Sequence, residues 1–311
     1  MKLLLAALLL VPSLAFSFEC PAPGETKADC PWAGVSRLIG RKTSQAEIRR
    51  DFSEYAPGLL KQLKLIRDHR FILGLWGQSI NFDEFAKGEI VRPPLLSFLA
   101  RSAGAPQPEG RIMHAGLEHT YGYLFSLLPT SFGFKRARWV DPEIELGFGL
   151  PEGSLGPAPS SGTLLTNVTC FAGSIALKDD PAAYALLKKV GPYCDPALAD
   201  YISSDVAHVR LSETAELPGG RSVTLRTDLV LFGKVTEGDS YLLVYSVRDT
   251  KPARTYLVTA FPVASSFVKM VTDPAGLGPG KPVQTRYNGY VKGLTEAGVV
   301  RGQRSVETLR R

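Results

Sequence analysis

The sequence predicts an α+β fold, in which a helical N-terminal layer is followed by an antiparallel β-sheet and the chain is disulfide-stapled. Helix signals concentrate in residues 44–104, where capping residues and prolines flank apolar stripes of helical spacing. Four segments rich in Val, Leu, Thr and Tyr follow after residue 204 and are joined by turn sequences. Helices first and strands afterwards are the order typical of α+β folds.

The helical layer is justified by specific start and stop signals. Ser44 followed by Glu47 fits a capping box that opens a helix, and Pro57 suits the first turn of a second one. NFDEFAKG has the pattern of a short capped helix, and RPPLLSFLARSAG that of another, which ends at Gly104. Further along, PAAYALLKKVG predicts a helix between two cysteines.

The sheet is predicted from four strand-like segments with partial alternation of apolar and polar residues. They read DVAHVRLSE, RSVTLRTDLVLFGKV, SYLLVYSVRD and ARTYLVTAFPV. TEGDS separates the second from the third, and RDTKPA links the third to the fourth. Both are hairpin turns in composition, so the segments should form an antiparallel meander.

The first 17 residues have the layout of a secretory signal peptide. Lys2 precedes the apolar run LLLAALLLV, and Ala15 and Ser17 occupy the small-residue positions of a cleavage site. Cleavage after Ser17 removes one lysine and no acid, so the formal charge falls from +6 to +5. The run is short for a membrane span, and an uncleaved anchor is the alternative. We expect an exported protein, periplasmic or extracellular, with no stable membrane span.

Four cysteines remain after cleavage, at Cys20, Cys30, Cys170 and Cys194. An even number in an exported chain predicts disulfides, and four cysteines allow three pairings. The pairing of Cys20 with Cys30 and of Cys170 with Cys194 is favoured because it closes two modest loops. A zinc site is the competing interpretation, but the sequence has no C-x-x-C pair, so we expect neither a metal site nor a cofactor.

Composition divides the mature chain into three parts. These are an irregular disulfide-containing loop (18–43), a single α+β domain (44–272) and a C-terminal tail (273–311). Within the domain, helices are expected over 44–104 and mainly strands over 111–272. A Gly/Pro-rich stretch at 147–162 interrupts the strands and is expected to be a surface loop.

The segment RIMHAGLEHTYGYLFSLL (111–128) holds His114 and His119, two of the four histidines. On a helix His114 and Glu118 share a face, whereas His119 points away; on a strand the two histidines face opposite sides. Zinc helices of the H-E-x-x-H and H-x-x-E-H types need histidines four residues apart, and these are five apart. Helix and strand both remain open, as do a catalytic pair and ordinary hydrogen-bonded histidines.

Three short pieces occur in a suggestive order, GLEHTY (116–121), GFKRARW (133–139) and RTYLVTAFPV (254–263). Together they resemble endoribonucleases of the EndoU type. Those enzymes carry a Gly-Phe-Glu-His segment, a second Gly-Phe-His or Gly-Leu-His segment and a late strand similar to Thr-Ala-Tyr-Pro-Val. The first histidine of that pattern matches His119. Lys135 stands where the second histidine would fall, and Phe261 stands in place of the late tyrosine.

The resemblance implies RNA cleavage in which one histidine accepts the 2′-hydroxyl proton and another protonates the leaving oxygen. His119 and His114 would then be acid and base, with Lys135 or Lys178 as electrostatic partner and with stimulation by manganese. Single-stranded RNA or another anionic polymer would be the partner. The alternative is a non-catalytic periplasmic or secreted protein that binds a partner or the envelope.

GFKRARW also interleaves cations with aromatic rings, as single-stranded nucleic-acid grooves do. Arg136, Arg138 and Trp139 are therefore candidate nucleic-acid contacts. The competing interpretation is a solvated strand face, because Arg136 and Arg138 alternate with Ala137 and Trp139 along the chain.

Overall fold

The structure is a computed structural model, and it describes twelve stretches of the chain. They are residues 32–40, 42–83, 87–130, 133–134, 145, 149–151, 153–155, 161–199, 208–231, 240–264, 289–290 and 301–309. The fold is α+β, as predicted, with helices that mostly precede an antiparallel sheet. Of the helices within these stretches, none is long and apolar enough to cross a membrane.

Four helices form the N-terminal layer, and three of them begin where the sequence predicts. They are α1 (Trp32–Leu38), α2 (Gln45–Tyr55), α3 (Pro57–Asp68) and α4 (Pro93–Ala103). Ser44 and Glu47 form the predicted capping box at the start of α2, and Pro57 begins α3. Gly104 ends α4 at a φ of 69°, a left-handed conformation that glycine adopts without strain.

The prediction of a short helix over NFDEFAKG is wrong at both ends of that segment, where the described residues are not helical. Asp83 and Gly88 pair as an antiparallel bridge, with the Asp83 N–H donating to the Gly88 carbonyl oxygen over 2.8 Å. Asn81 meanwhile holds the Val91 backbone through both its amide nitrogen and its amide oxygen. Asparagine and aspartate bond readily to nearby backbone groups, and such contacts compete with helix formation.

Two further helices lie between the loop region and the sheet, α5 (Leu164–Ala176) and α6 (Pro181–Val190). The sequence predicts α6 but not α5, which falls where mainly strands are expected. Every residue of α5 is buried, so no polar stripe marks it as a helix. The predicted disulfide between Cys170 of α5 and Cys194 is present, whereas Cys20 and Cys30 lie outside the described residues.

The main sheet is the predicted antiparallel meander with one strand added. Its strands are β5 (His208–Leu217), β6 (Arg221–Leu231), β7 (Ser240–Thr250), β8 (Ala253–Ala264) and β10 (Arg301–Leu309). Their order across the sheet is β10-β5-β6-β7-β8. Residues 301–309, which the sequence assigns to a C-terminal tail, pair with β5 along their whole length.

Short strands complete the fold. β1 (Gln78–Ile80) pairs with β2 (Ile112–His114) and with β9 (Gly289–Tyr290), while β3 (Pro129–Thr130) pairs with β4 (Gly133–Phe134). Helix α5 contacts β6, β7 and β8 on one side and the segment after β2 on another. The Trp76 indole N–H donates to the Thr169 hydroxyl of α5 over 2.8 Å, which fixes this helix beside the histidine-containing segment.

Candidate functional site

The histidine-containing segment is strand at its start and helix afterwards. β2 ends at His114, Ala115 and Gly116 are α-helical, and a π-helix spans Leu117–Gly122. The sequence left helix and strand open for this segment, and both occur within 11 residues. π-helical turns are rare and occur often at functional sites, which makes this segment the first candidate.

His114 is held in the core as a neutral imidazole. Its Nε2 lies 2.9 Å from the Leu73 carbonyl oxygen, which can only accept, so Nε2 carries the proton. Burial lowers the pKa of His114 from 6.5 to about 4, and the bond to Leu73 opposes this change only in part. Its Nδ1 has no hydrogen-bond partner within the described residues. The ring is thus uncharged at neutral pH and has one internal bond.

His119 is fully buried within the π-helix. Its Nδ1 lies 2.5 Å from the Tyr123 hydroxyl, and the two rings stand edge to face with centroids 4.9 Å apart. The Nε2 atom lies 3.6 Å from a carboxylate oxygen of Glu118, which is also fully buried. A carboxylate, an imidazole and a phenol therefore lie together in the core, and the imidazole and the phenol share a hydrogen bond.

The backbone around these groups leaves almost no free space. A Cβ atom at Gly116 would lie 2.9 Å from the Trp76 ring, and one at Gly122 would lie 2.8 Å from a Val91 methyl group. The Thr120 hydroxyl donates back to the Gly116 carbonyl oxygen one turn earlier. The π-helix is consequently packed as core both at Gly116, which precedes it, and at Gly122, which ends it.

The remaining predicted site residues lie elsewhere or are not described. Lys178 sits in the tight turn between α5 and α6 and is partly exposed. Its neighbour Asp179 accepts a hydrogen bond from Arg210 of β5, so this turn is tied to the sheet. The other predicted contacts fall outside the described residues: Lys135, Arg136, Arg138 and Trp139.

Comparison with known proteins does not assign the chain to a family. Neither a protein-family model, nor a curated protein, nor a solved structure matches the chain. The EndoU resemblance is therefore neither strengthened nor weakened by them. Across the described stretches, no group of three or more His, Cys, Asp or Glu side chains could hold a metal ion.

The sheet carries a buried charged cluster that sequence analysis missed. Asp228 of β6 is fully buried and accepts from Arg210 Nε over 2.7 Å, while His208 Nε2 lies 2.8 Å from the same oxygen. Burial lowers the pKa of Arg210, but Asp228 and Asp179 raise it by more, so the guanidinium stays charged. The available signal was His208 and Arg210, which are two residues apart on β5 and so lie on one face of the strand. The cluster joins β5, β6 and the α5–α6 turn.

Proposed function

We propose that this is an exported, non-catalytic protein that binds a partner at its surface. One observation carries the proposal: both histidines of the candidate catalytic pair are buried, and each bonds to a group of its own chain. A general acid or base must come within hydrogen-bond reach of the substrate atom that it serves. Groups sealed in a packed core cannot meet that condition without opening of the fold.

The protonation state of His114 argues in the same direction. With a pKa of about 4, only about one imidazole in a thousand carries the second proton at neutral pH. A general acid must be protonated at the working pH. His114 is therefore unsuited to donate a proton to a leaving oxygen.

Export is supported by two features of the chain. The first 17 residues have a signal-peptide layout, and Cys170 is bonded to Cys194. Disulfides persist in oxidising compartments and are rare in the cytosol. Both features fit a periplasmic or extracellular protein.

A second candidate is RNA cleavage of the EndoU type, with His119 and His114 as acid and base and with Lys135 or Lys178 as a charge partner. The position of His119 in a π-helix favours it, because such turns recur at functional sites. This candidate requires a motion that brings the imidazole to solvent. The predicted nucleic-acid contacts in GFKRARW belong to it.

RNA cleavage separates the two candidates. The purified mature protein, with its disulfides formed, is incubated with a fluorogenic uridine-containing RNA, with and without manganese. Our proposal predicts no cleavage above buffer. Cleavage that His119→Ala removes and the partly buried His69→Ala retains, with 2′,3′-cyclic phosphate ends, would establish the enzyme instead. Circular dichroism of both variants shows whether they fold.

A further inference from the structure

A basic cleft lies on the outer surface of the helical layer, where α2, α3 and α4 meet. Its volume is about 280 Å³, and its lining consists of Arg49, Leu60, Lys61, Lys64, Arg67 and Ser102. Four of these six side chains are cationic and none is acidic. We refer to these six residues as the basic cleft.

The cations converge because of helix geometry. Lys61, Lys64 and Arg67 follow one another at intervals of three residues on α3, which places them along one face. The opposite face of α3 packs into the core through Leu59, Leu63 and Ile66. The cationic face therefore points outward and meets Arg49 of α2, a helix that contacts both α3 and α4.

The positive charges of the cleft are poorly compensated. Arg49, Lys61 and Lys64 have no ion pair with any carboxylate in the described part of the chain. Arg67 is paired with Asp68 only at 3.8 Å, where both side chains are about half exposed. The nearby Asp51 forms its ion pair with Arg50 and not with Arg49. Like charges held together repel, so an anion entering the cleft relieves that repulsion.

A polar group without a partner lines the same cleft. The Ser102 hydroxyl oxygen is shielded from solvent and has no hydrogen-bond partner in the described stretches. A buried hydroxyl without a partner costs free energy, and rotation about its single χ1 bond can redirect it. A ligand oxygen in the cleft would supply the missing partner.

We infer that the basic cleft binds a phosphate group, which makes the general binding role of the Proposed function specific and rests on it. Arginine and lysine together favour phosphate, since the guanidinium fork can bond two oxygens and an ammonium acts as a point charge. Pockets that enclose a whole drug-sized ligand measure about 300–1,000 Å³. The smaller cleft takes the phosphate or diphosphate group, and the rest of the ligand stays outside.

Titration with pyrophosphate tests the inference, using isothermal calorimetry on the mature protein at low ionic strength. The double variant Lys61→Gln/Lys64→Gln should bind pyrophosphate about tenfold more weakly, because two of the four cations are lost. The matched control is Lys188→Gln/Lys189→Gln, which removes the same charge from the exposed end of α6. The control should bind like wild type, and added salt should weaken binding by wild type.

A second arm distinguishes free phosphate from a lipid headgroup. Vesicles of phosphatidylglycerol and of phosphatidylcholine are compared for sedimentation of the protein. Binding to phosphatidylglycerol alone, lost in the Lys61/Lys64 variant and kept in the control, supports the cleft with a lipid source even without pyrophosphate binding. Absence of both kinds of binding, or equal loss in the two variants, overturns the inference. Neither result bears on RNA cleavage, so failure of the cleft and failure of the Proposed function remain distinguishable.

Discussion

The Tyr123 ring stands edge-on to the His119 ring at an angle of 85°, and its hydroxyl meets the Nδ1 atom of that imidazole. Both residues are buried, so the bond forms where water does not compete. This pair ties His119 to its own chain, which is the structural role that our proposal assigns to that histidine. It also makes the role measurable through stability rather than activity.

Removing the Tyr123 hydroxyl should destabilise the fold. Tyr123→Phe keeps the ring and leaves a buried imidazole nitrogen without its phenol partner, which costs about 1–3 kcal/mol. The free energy of unfolding, measured by urea denaturation, should fall by that amount. Tyr193→Phe removes a hydroxyl from a partly buried ring and should leave the value within about 0.5 kcal/mol of wild type. Equal values for both variants would contradict the assigned role of Tyr123.

The buried His114 should make stability dependent on pH. The unfolded histidine titrates near 6.5 and the folded one at about 4, so the unfolded state binds more protons between these values. This contribution to stability is present above pH 6.5 and is lost as the pH falls towards 4. The loss is on the order of 3 kcal/mol.

His114→Gln cannot titrate, so its stability should decline less than that of wild type over the same interval. Urea denaturation at a series of pH values gives both curves. The half-buried His69→Gln is the control and should keep the steep dependence of wild type. Parallel curves for wild type and His114→Gln would show that His114 is not held as a neutral, buried ring.

Gly116 lies against the Trp76 ring, whereas Gly58 has open space around it. Replacement of each glycine by alanine should therefore change the stability of the protein in opposite directions. Gly116→Ala places a Cβ atom 2.9 Å from the indole ring and should cost about 1–3 kcal/mol of stability. Gly58→Ala in α3 meets nothing within 4 Å and should leave stability unchanged or raise it by up to about 1 kcal/mol. Thermal unfolding of the two variants checks the sign, and a tolerated Gly116→Ala would refute the tight packing.

The stability of the fold should depend on both carboxylate oxygens of Asp180. One carboxylate oxygen accepts from the Ala182 and Ala183 N–H groups at the start of α6, and the other accepts from the Thr255 N–H of β8. Burial raises the pKa of Asp180, but these hydrogen bonds lower it by more. The stabilisation is therefore present above the usual carboxyl pKa and is lost on acidification.

Asp180→Asn retains one acceptor oxygen, so either the helix cap or the link to the sheet loses its partner. We expect a loss of about 1–2 kcal/mol at neutral pH, measured by urea denaturation. Asp68→Asn is the matched control, because its side chain is about half exposed, and its effect should be small. A control that loses as much as Asp180→Asn would rule out the bridging role.

Much of the fold follows from local signals in the sequence. The capping box at Ser44, the left-handed Gly104 and the turn between β7 and β8 each act within a few residues. Helix α5 has no such signature, since its sequence LLTNVTCFAGSIA is buried on all sides. Strand β10 is polar in sequence, and only its pairing with β5 across about 90 residues gives it a place.

The candidate site is predictable only in part. The five-residue spacing of the two histidines argues against a zinc helix at the level of sequence alone. A three-residue strand and a six-residue π-helix are too short for periodicity to identify. Their burial depends on Trp76, Val91 and α5, which are distant in sequence. The basic cleft is likewise not predictable from one segment, because its lining residues come from three helices, α2, α3 and α4.

The most direct test of the account is the accessibility of the four histidines to diethyl pyrocarbonate, read out residue by residue with tandem mass spectrometry. The native mature protein should be modified at the partly exposed His69, while His114 and His119 react only after denaturation. Modification of His119 in the native state at the rate of His69 would contradict the account. It would show that the His119 imidazole is open to solvent and would favour RNA cleavage over the non-catalytic proposal.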